Sequence, residues 1–211
     1  MEDSSHRRPH AIMIPLPLQG HVIPFVHLAM KLASKGFTIT FVNTQFIHHH
    51  ITKSKPNTTS QEVNVDDDDD IFAGARKSGL DIRYKTVSDG FPLAFDRFLN
   101  ADTFLEGLTH VFQAHVDEVV GDIIREADNP SVSCLIADTF HTWPSDIANK
   151  YNLLHVSFWT EPALVFSLYF HLDLLITNGH FASCGMYLWL GFIYLYICSI
   201  IFFLIFYHFF R

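Results

Sequence analysis

Two short stretches of this sequence hold side chains suited to moving protons. Pro15-Leu16-Pro17-Leu18-Gln19-Gly20-His21 ends on an imidazole, and Asp138-Thr139-Phe140-His141 opens on a carboxylate and closes on a second imidazole. An ordinary imidazole, with a pKa near about 6.5, is largely neutral at neutral pH and can accept a proton from a hydroxyl. Other chemistries lack their residues. No Gly-x-Gly-x-x-Gly follows the first apolar run and no Gly-x-x-x-x-Gly-Lys-Ser/Thr occurs, which removes the dinucleotide fingerprint and the phosphate cradle of a nucleotide triphosphatase. Cys134, Cys184 and Cys198 are too few and too irregular for a disulfide framework or a closed zinc site. His48, His49 and His50 are adjacent and point in different directions on a helix, so no metal is expected there. The run Asp66 to Asp70 lacks the glycine and spaced ligands of a calcium loop and reads as disordered. Asn57-Thr58-Thr59 is a glycosylation sequon only in a secreted chain.

Both proton-moving stretches follow short apolar runs, and the elements around them explain why. Apolar runs alternate with helical periodicity between residues 10 and about 180, the signature of βα units and a parallel sheet. Ala11 to Ile14 reads as a buried strand. Phe25, Leu28, Ala29, Leu32 and Ala33 then recur at helical spacing until Gly36 ends the helix. Phe37 to Val42 is the next strand, and Ile82 and Tyr84 mark a weaker one. Phe104, Leu108, Val111, Phe112, His115, Val119 and Ile123 form the stripe of a long helix. Val132 to Ala137 reads as a strand, Trp143 to Lys150 as a short helix, Leu154 to Phe158 as a strand and Glu161 onward as a helix. The expected fold class is α/β, a Rossmann-like parallel sheet flanked by helices over residues 10–180, with a polar mobile loop at 53–79. Such a sheet places ligands beyond the carboxyl ends of its strands, where His21 and Asp138 fall.

The chain has 211 residues and a formal net charge of -8, with a pI near 5.9. One domain with a real core fits that length, and the shortage of clustered Lys and Arg excludes a nucleic-acid partner. The polar start has no secretory apolar region, so a cytoplasmic location is expected.

The segment PLPLQGHVIPFVHLAMKLASKGFTITFVNT, Pro15 to Thr44, resembles the opening of the plant UDP-glycosyltransferases. CLIADTFHTWPSDIANKYNL from Cys134 and HVSFWTEPALVFSLYFHLDLL from His155 are similar to later blocks of that family, in the same order. The resemblance implies the N-terminal, acceptor-binding domain of a GT-B fold. It also implies transfer of a sugar from a UDP-sugar, the co-substrate, to a hydroxyl of a small lipophilic acceptor such as a flavonoid, with no other cofactor. On the same ground His21 corresponds to the general base and Asp138 to the carboxylate that orients it. Thr160 and Gly20 correspond to positions near the donor sugar. Asp138 and Thr160 are also good helix-capping residues, and for Asp138 the two roles are compatible. Phe91, Phe95 and Phe158 are read as acceptor-binding; Phe91, Phe95 and Phe98 suggest a flat apolar acceptor, and core packing explains them equally well. The donor domain of the family, with its Trp, His, Gln and Glu rich signature, has no counterpart here, so little turnover is expected of this chain alone and a non-catalytic acceptor-binding product is the alternative.

From Leu174 to Phe210 there is no Asp, Glu, Lys or Arg, and residues 181–211 form an apolar tail. Met186 to Phe210 as a helix would extend roughly 37 Å, enough for a hydrocarbon core of about 30 Å. The tail is therefore either a helical membrane anchor or the translation of a thymine-rich intron, the reading preferred here, and both allow membrane association through 186–210.

Overall fold

The computed structural model of the chain describes residues 8–53, 70–126 and 130–179. The chain divides into two units, one ending at Phe158 and the other beginning at Trp159. In the first, strands and helices run β1 (His10–Ile14), α1 (Gln19–Ala33), β2 (Thr38–Thr44), α2 (Gln45–Lys53), α3 (Ala73–Lys77), β3 (Ile82–Val87), α4 (Ala101–Arg125), β4 (Val132–Asp138), α5 (Pro144–Lys150) and β5 (Leu154–Phe158). The five strands form one sheet in the order β3-β2-β1-β4-β5, with every pairing parallel. The expected α/β architecture is the one the chain adopts.

The two-residue period of β1 explains the layering. Ala11 and Met13 face one side, where Val22, Phe25, Ala29 and Ala33 of α1 cover them. Ile12 and Ile14 face the other, against Phe112, Val116 and Val120 of α4 and Ile147 and Ala148 of α5. A strand covered on both faces is largely apolar, and all five residues of β1 are buried, the polar one, His10, with both ring nitrogens bonded, to the Pro130 carbonyl and to Thr40. In α1 the buried apolar positions Val22, Phe25, Ala29 and Ala33 are spaced by three or four, as one helical face requires, and Gly36 leaves the helix at φ +92°, a conformation that costs glycine little. The buried stripe of α4 is Phe104, Leu108, Phe112, Val116, Val120 and Ile123. Val111, counted in that stripe from the sequence, is 43% exposed.

The segment read as a mobile loop over 53–79 is folded from Asp70 onward. Two apolar residues after the acidic run account for this. Phe72 is fully buried with its ring 5.0 Å from that of Phe41, and Ile71 packs against the same core. Asp70, assigned from the sequence to the disordered run, is itself buried. It accepts the Phe72 N–H at 2.6 Å and pairs with Arg76 at 2.9 Å, which starts α3. Residues 54–69, with the sequon and the rest of the acidic run, lie outside the described residues.

In the second unit, the single helix expected from Glu161 is two, α6 (Ala163–Phe170) and α7 (Leu172–Thr177), broken at His171. The Trp159 ring meets Phe166 at 5.3 Å and Tyr169 at 5.6 Å, both edge-on. No helix among the described residues is long and apolar enough to cross a membrane. The tail at 181–211 lies outside the described residues.

Candidate functional site

Strand order creates the site. From β1 the chain builds outward through β2 to β3, then returns along α4 to the far side of β1 and continues outward through β4 to β5. The direction of growth therefore reverses between β1 and β4, and the connections leaving their carboxyl ends diverge to opposite faces. In open α/β sheets that divergence is where ligands bind. The register pairs Ile14 with Ala137, so the turn after β1 and the end of β4 lie side by side.

His21 sits in the first turn of α1. Leu18 is extended (φ -125°, ψ 140°), and its carbonyl accepts the N–H of His21 at 2.9 Å and of Val22 at 3.0 Å. Pro24 has no N–H to offer the Gly20 carbonyl, so helical bonding is loosened in this first turn. The His21 imidazole is buried, and its Nδ1 donates to Asp138 Oδ2 at 2.8 Å across 117 residues of chain. A carboxylate only accepts, so the proton resides on Nδ1 and the lone pair on Nε2. Asp138, the last residue of β4, is 1% exposed, and its other oxygen accepts the Phe140 N–H at 3.0 Å. The Phe140 ring stands edge-on to the imidazole at 5.4 Å. The pair is thus a charge-assisted hydrogen bond inside the protein, with the carboxylate held at both oxygens.

The capping readings do not hold. The helix after Asp138, α5, has Trp143 at its N-cap with no side-chain cap bond, and Asp138 closes a short turn onto Phe140 instead. Thr160 lies in the second unit, where α6 is preceded by Pro162 and likewise has no side-chain cap bond. A Cβ added at Gly20 would meet nothing within 4 Å, so open space stands before that residue.

His141 is buried and serves a different end. Its Nε2 lies 3.3 Å from the Pro15 carbonyl, and its ring is flanked by Trp143 at 4.8 Å and Phe112 at 5.6 Å. Burial pushes its pKa down to about 4, against upward pulls from Asp138 and the Pro15 carbonyl and a further downward push from His21. The ring is therefore neutral at neutral pH and donates from Nε2.

The three candidate acceptor aromatics are not brought together. Phe91 and Phe95 stack at 4.5 Å and 17°, packed on the α4 side of the sheet, where Phe91 lies so close over Gly107 that a Cβ there would come within 2.4 Å of the ring. Phe158 pairs in register with Asp138 on β4 and packs on the opposite face, edge-on to Phe25 at 5.0 Å. The loop carrying Phe91 and Phe95 is organised by a buried ion pair that sequence reasoning missed. Arg97 and Asp89 are 4% and 2% exposed and make two parallel bonds, Nε to Oδ2 at 2.7 Å and Nη2 to Oδ1 at 2.9 Å. The guanidinium also donates to the Phe95 carbonyl at 2.9 Å and lies 3.6 Å from the centroid of the Phe46 ring on α2. An Asp and an Arg eight residues apart in a Gly- and Pro-containing loop carry no signal that separates them from surface charges. Among the described residues, no three His, Cys, Asp or Glu side chains gather as a metal ion would need.

With this geometry in place, known proteins give a consistent comparison. UDP-glycosyltransferase 86A1 of Arabidopsis thaliana is 62% identical over 184 residues, 87% of this chain and 36% of that protein. UDP-glycosyltransferase 86A2 of the same plant is 56% identical over 179 residues, 84% of this chain and 34% of its own length. The crystal structure of a UDP-glucose: anthocyanidin 3-O-glucosyltransferase in complex with UDP superposes with a TM-score of 0.57 at 23% identity, covering 80% of this chain and 33% of that one. That likeness concerns the fold, which is the N-terminal sheet domain of a GT-B enzyme. No family model matches the chain. The chain spans about a third of the length of the curated relatives it matches, and over that stretch it belongs to the plant UDP-glycosyltransferase family.

Proposed function

We propose that this chain provides the acceptor-binding half of a UDP-dependent glycosyl transfer, with His21 as general base and Asp138 as the carboxylate that orients it. The observation that carries the reading is the buried 2.8 Å bond from His21 Nδ1 to Asp138 at the switch point of the sheet. In the reaction, an acceptor hydroxyl oxygen forms a bond to the anomeric carbon while the bond from that carbon to UDP breaks. The hydroxyl proton passes to His21 Nε2, and the imidazolium so formed is stabilised by the Asp138 carboxylate on its other nitrogen. Fixing the tautomer beforehand removes a reorganisation step from the barrier.

The donor is a UDP-sugar, with glucose favoured because the structural neighbour is a UDP-glucose enzyme. Thr160 and Gly20 are assigned to the donor side, and the open space before Gly20 leaves room for a ligand against the first turn of α1. Phe91, Phe95 and Phe158 are assigned to a flat, lipophilic acceptor of the phenolic kind, the first two as packed walls rather than free rings. The cytoplasm is the proposed place of action, and association with membrane is proposed only through 186–210.

The alternative, acceptor binding without transfer, is separated from this reading by one experiment. It measures turnover of UDP-glucose with a panel of phenolic acceptors, beside acceptor binding by tryptophan quenching, for this chain and its His21→Ala form. Turnover that falls by about 10²-fold or more in the variant supports catalysis. Binding without turnover in either supports the alternative, and a folded chain that does neither overturns both.

A further inference from the structure

The proposed chemistry leaves one buried histidine of the same corner unused. His141 is bonded to the backbone of Asp138 and to that of the turn that precedes His21. Its own N–H donates to the Asp138 carbonyl at 3.1 Å, and its Nε2 donates to the Pro15 carbonyl at 3.3 Å. The first bond closes the turn at the end of β4, and the second reaches across to the turn that leads from β1 into His21. That second turn is Pro15-Leu16-Pro17-Leu18, in which two of four residues have no N–H. Its internal bond runs from the Leu18 N–H to the Leu16 carbonyl at 2.7 Å, which leaves the Pro15 carbonyl to be met from elsewhere.

The imidazole itself cannot drift. Phe112 and Trp143 flank it, and the Trp143 indole N–H donates to the Leu108 carbonyl at 2.9 Å, which ties this corner to α4. A carbonyl only accepts, so the bond to Pro15 requires the proton on Nε2 of His141. The two histidines of the corner thus carry opposite tautomers, Nδ1–H in His21 and Nε2–H in His141.

We propose that His141 is a positioning residue, a cross-link from the end of β4 to the Pro15 turn that holds His21 in register with Asp138. Its importance for sugar transfer rests on the function proposed above, whereas the geometric claim does not.

The test is the tautomer of His21 in the ¹⁵N-labelled 211-residue chain, read from long-range ¹H–¹⁵N correlations and assigned by their loss in His21→Gln. The unmodified chain is expected to show His21 protonated on Nδ1. His141→Gln places an amide nitrogen near the position of Nε2 and should keep that signature. His141→Asn places it near Nδ1, and His141→Phe has no donor; both should lose the single tautomer and show averaged ring-nitrogen shifts. An unaltered His21 signature in folded Asn or Phe variants would overturn the proposal. So would a folded Gln variant that has lost it, which decides the matter if the other two fail to fold. Turnover lost in His21→Ala while the tautomer ignores His141 would leave the catalytic reading standing and remove this one. A tautomer that responds in a chain showing neither turnover nor acceptor binding would do the reverse.

Discussion

His141 makes the stability of this fold depend on pH, with a sign and a size that follow from its surroundings. The ring is 8% exposed, and the titratable groups facing it are Asp138 and His21. Burial holds its pKa at about 4 in the folded chain, against 6.5 for an ordinary histidine. Between those values the unfolded chain carries the proton and the folded chain does not, so added protons favour unfolding. The contribution is therefore fully present above about pH 6.5 and is lost as pH falls toward 4. From pH 7 to pH 4.5 the loss is roughly 2.5 kcal/mol, at about 1.36 kcal/mol per unit. That is a large share of the roughly 5–15 kcal/mol typical of a domain. His10, buried at the start of β1 with its pKa also lowered by burial, acts in the same direction. The assay is urea unfolding at both pH values, followed by tryptophan fluorescence, for the unmodified chain and His141→Gln. With a urea slope of order 2 kcal/mol per molar, the midpoint of the unmodified chain should fall by about 1 M more than that of the variant. Contributions from carboxylates and His10 are common to both and cancel in the difference. Equal falls would refute the reasoning, because they would mean that His141 is not held neutral by burial.

Two further perturbations test the packing that frames the site. Arg97→Met should cost about 3–5 kcal/mol, because Asp89 would be left as a buried charge without its partner, and the double variant Asp89→Leu with Arg97→Met should recover more than half of that loss in urea unfolding. Phe72→Ala should cost about 3–5 kcal/mol by the same measurement; a cost below about 1 kcal/mol would mean that the stretch after Asp70 is not part of the core.

Much of the fold was legible because it is local. The strands from Ala11, Val132 and Leu154 and the helices from Phe25 and Phe104 announce themselves by apolar spacing, and each is present to within a few residues. What failed was long-range. Phe72 belongs to the core because Phe41 and Tyr84, far from it in sequence, complete a cluster around it, and nothing in the polar stretch before it signals that. Asp89 and Arg97 look like surface charges until the burial of both is known. The kink at His171 escaped for the opposite reason: the stretch is apolar on every side, and without a polar face periodicity cannot mark a break.

The candidate site shows the same division more sharply. His21 and Asp138 each stood out as a proton-moving residue beyond a strand, and only the resemblance of the surrounding segments to a family paired them. Their bond was not legible from the residues themselves, because adjacency of β1 and β4 depends on α4 carrying the chain from the β3 edge back to the far side of β1. Had β4 added beyond β3 instead, β2 and β3 would stand between the two residues, at about 4.8 Å per strand, and Asp138 could not reach an imidazole on α1. Neither segment alone therefore specifies the hydrogen-bonded His21–Asp138 pair; the crossover does. It follows that a change weakening the docking of α4 on the sheet, such as truncation of Val116 or Val120, acts on the His21 tautomer as well as on stability, although both residues lie in the core rather than in the His21–Asp138 pair.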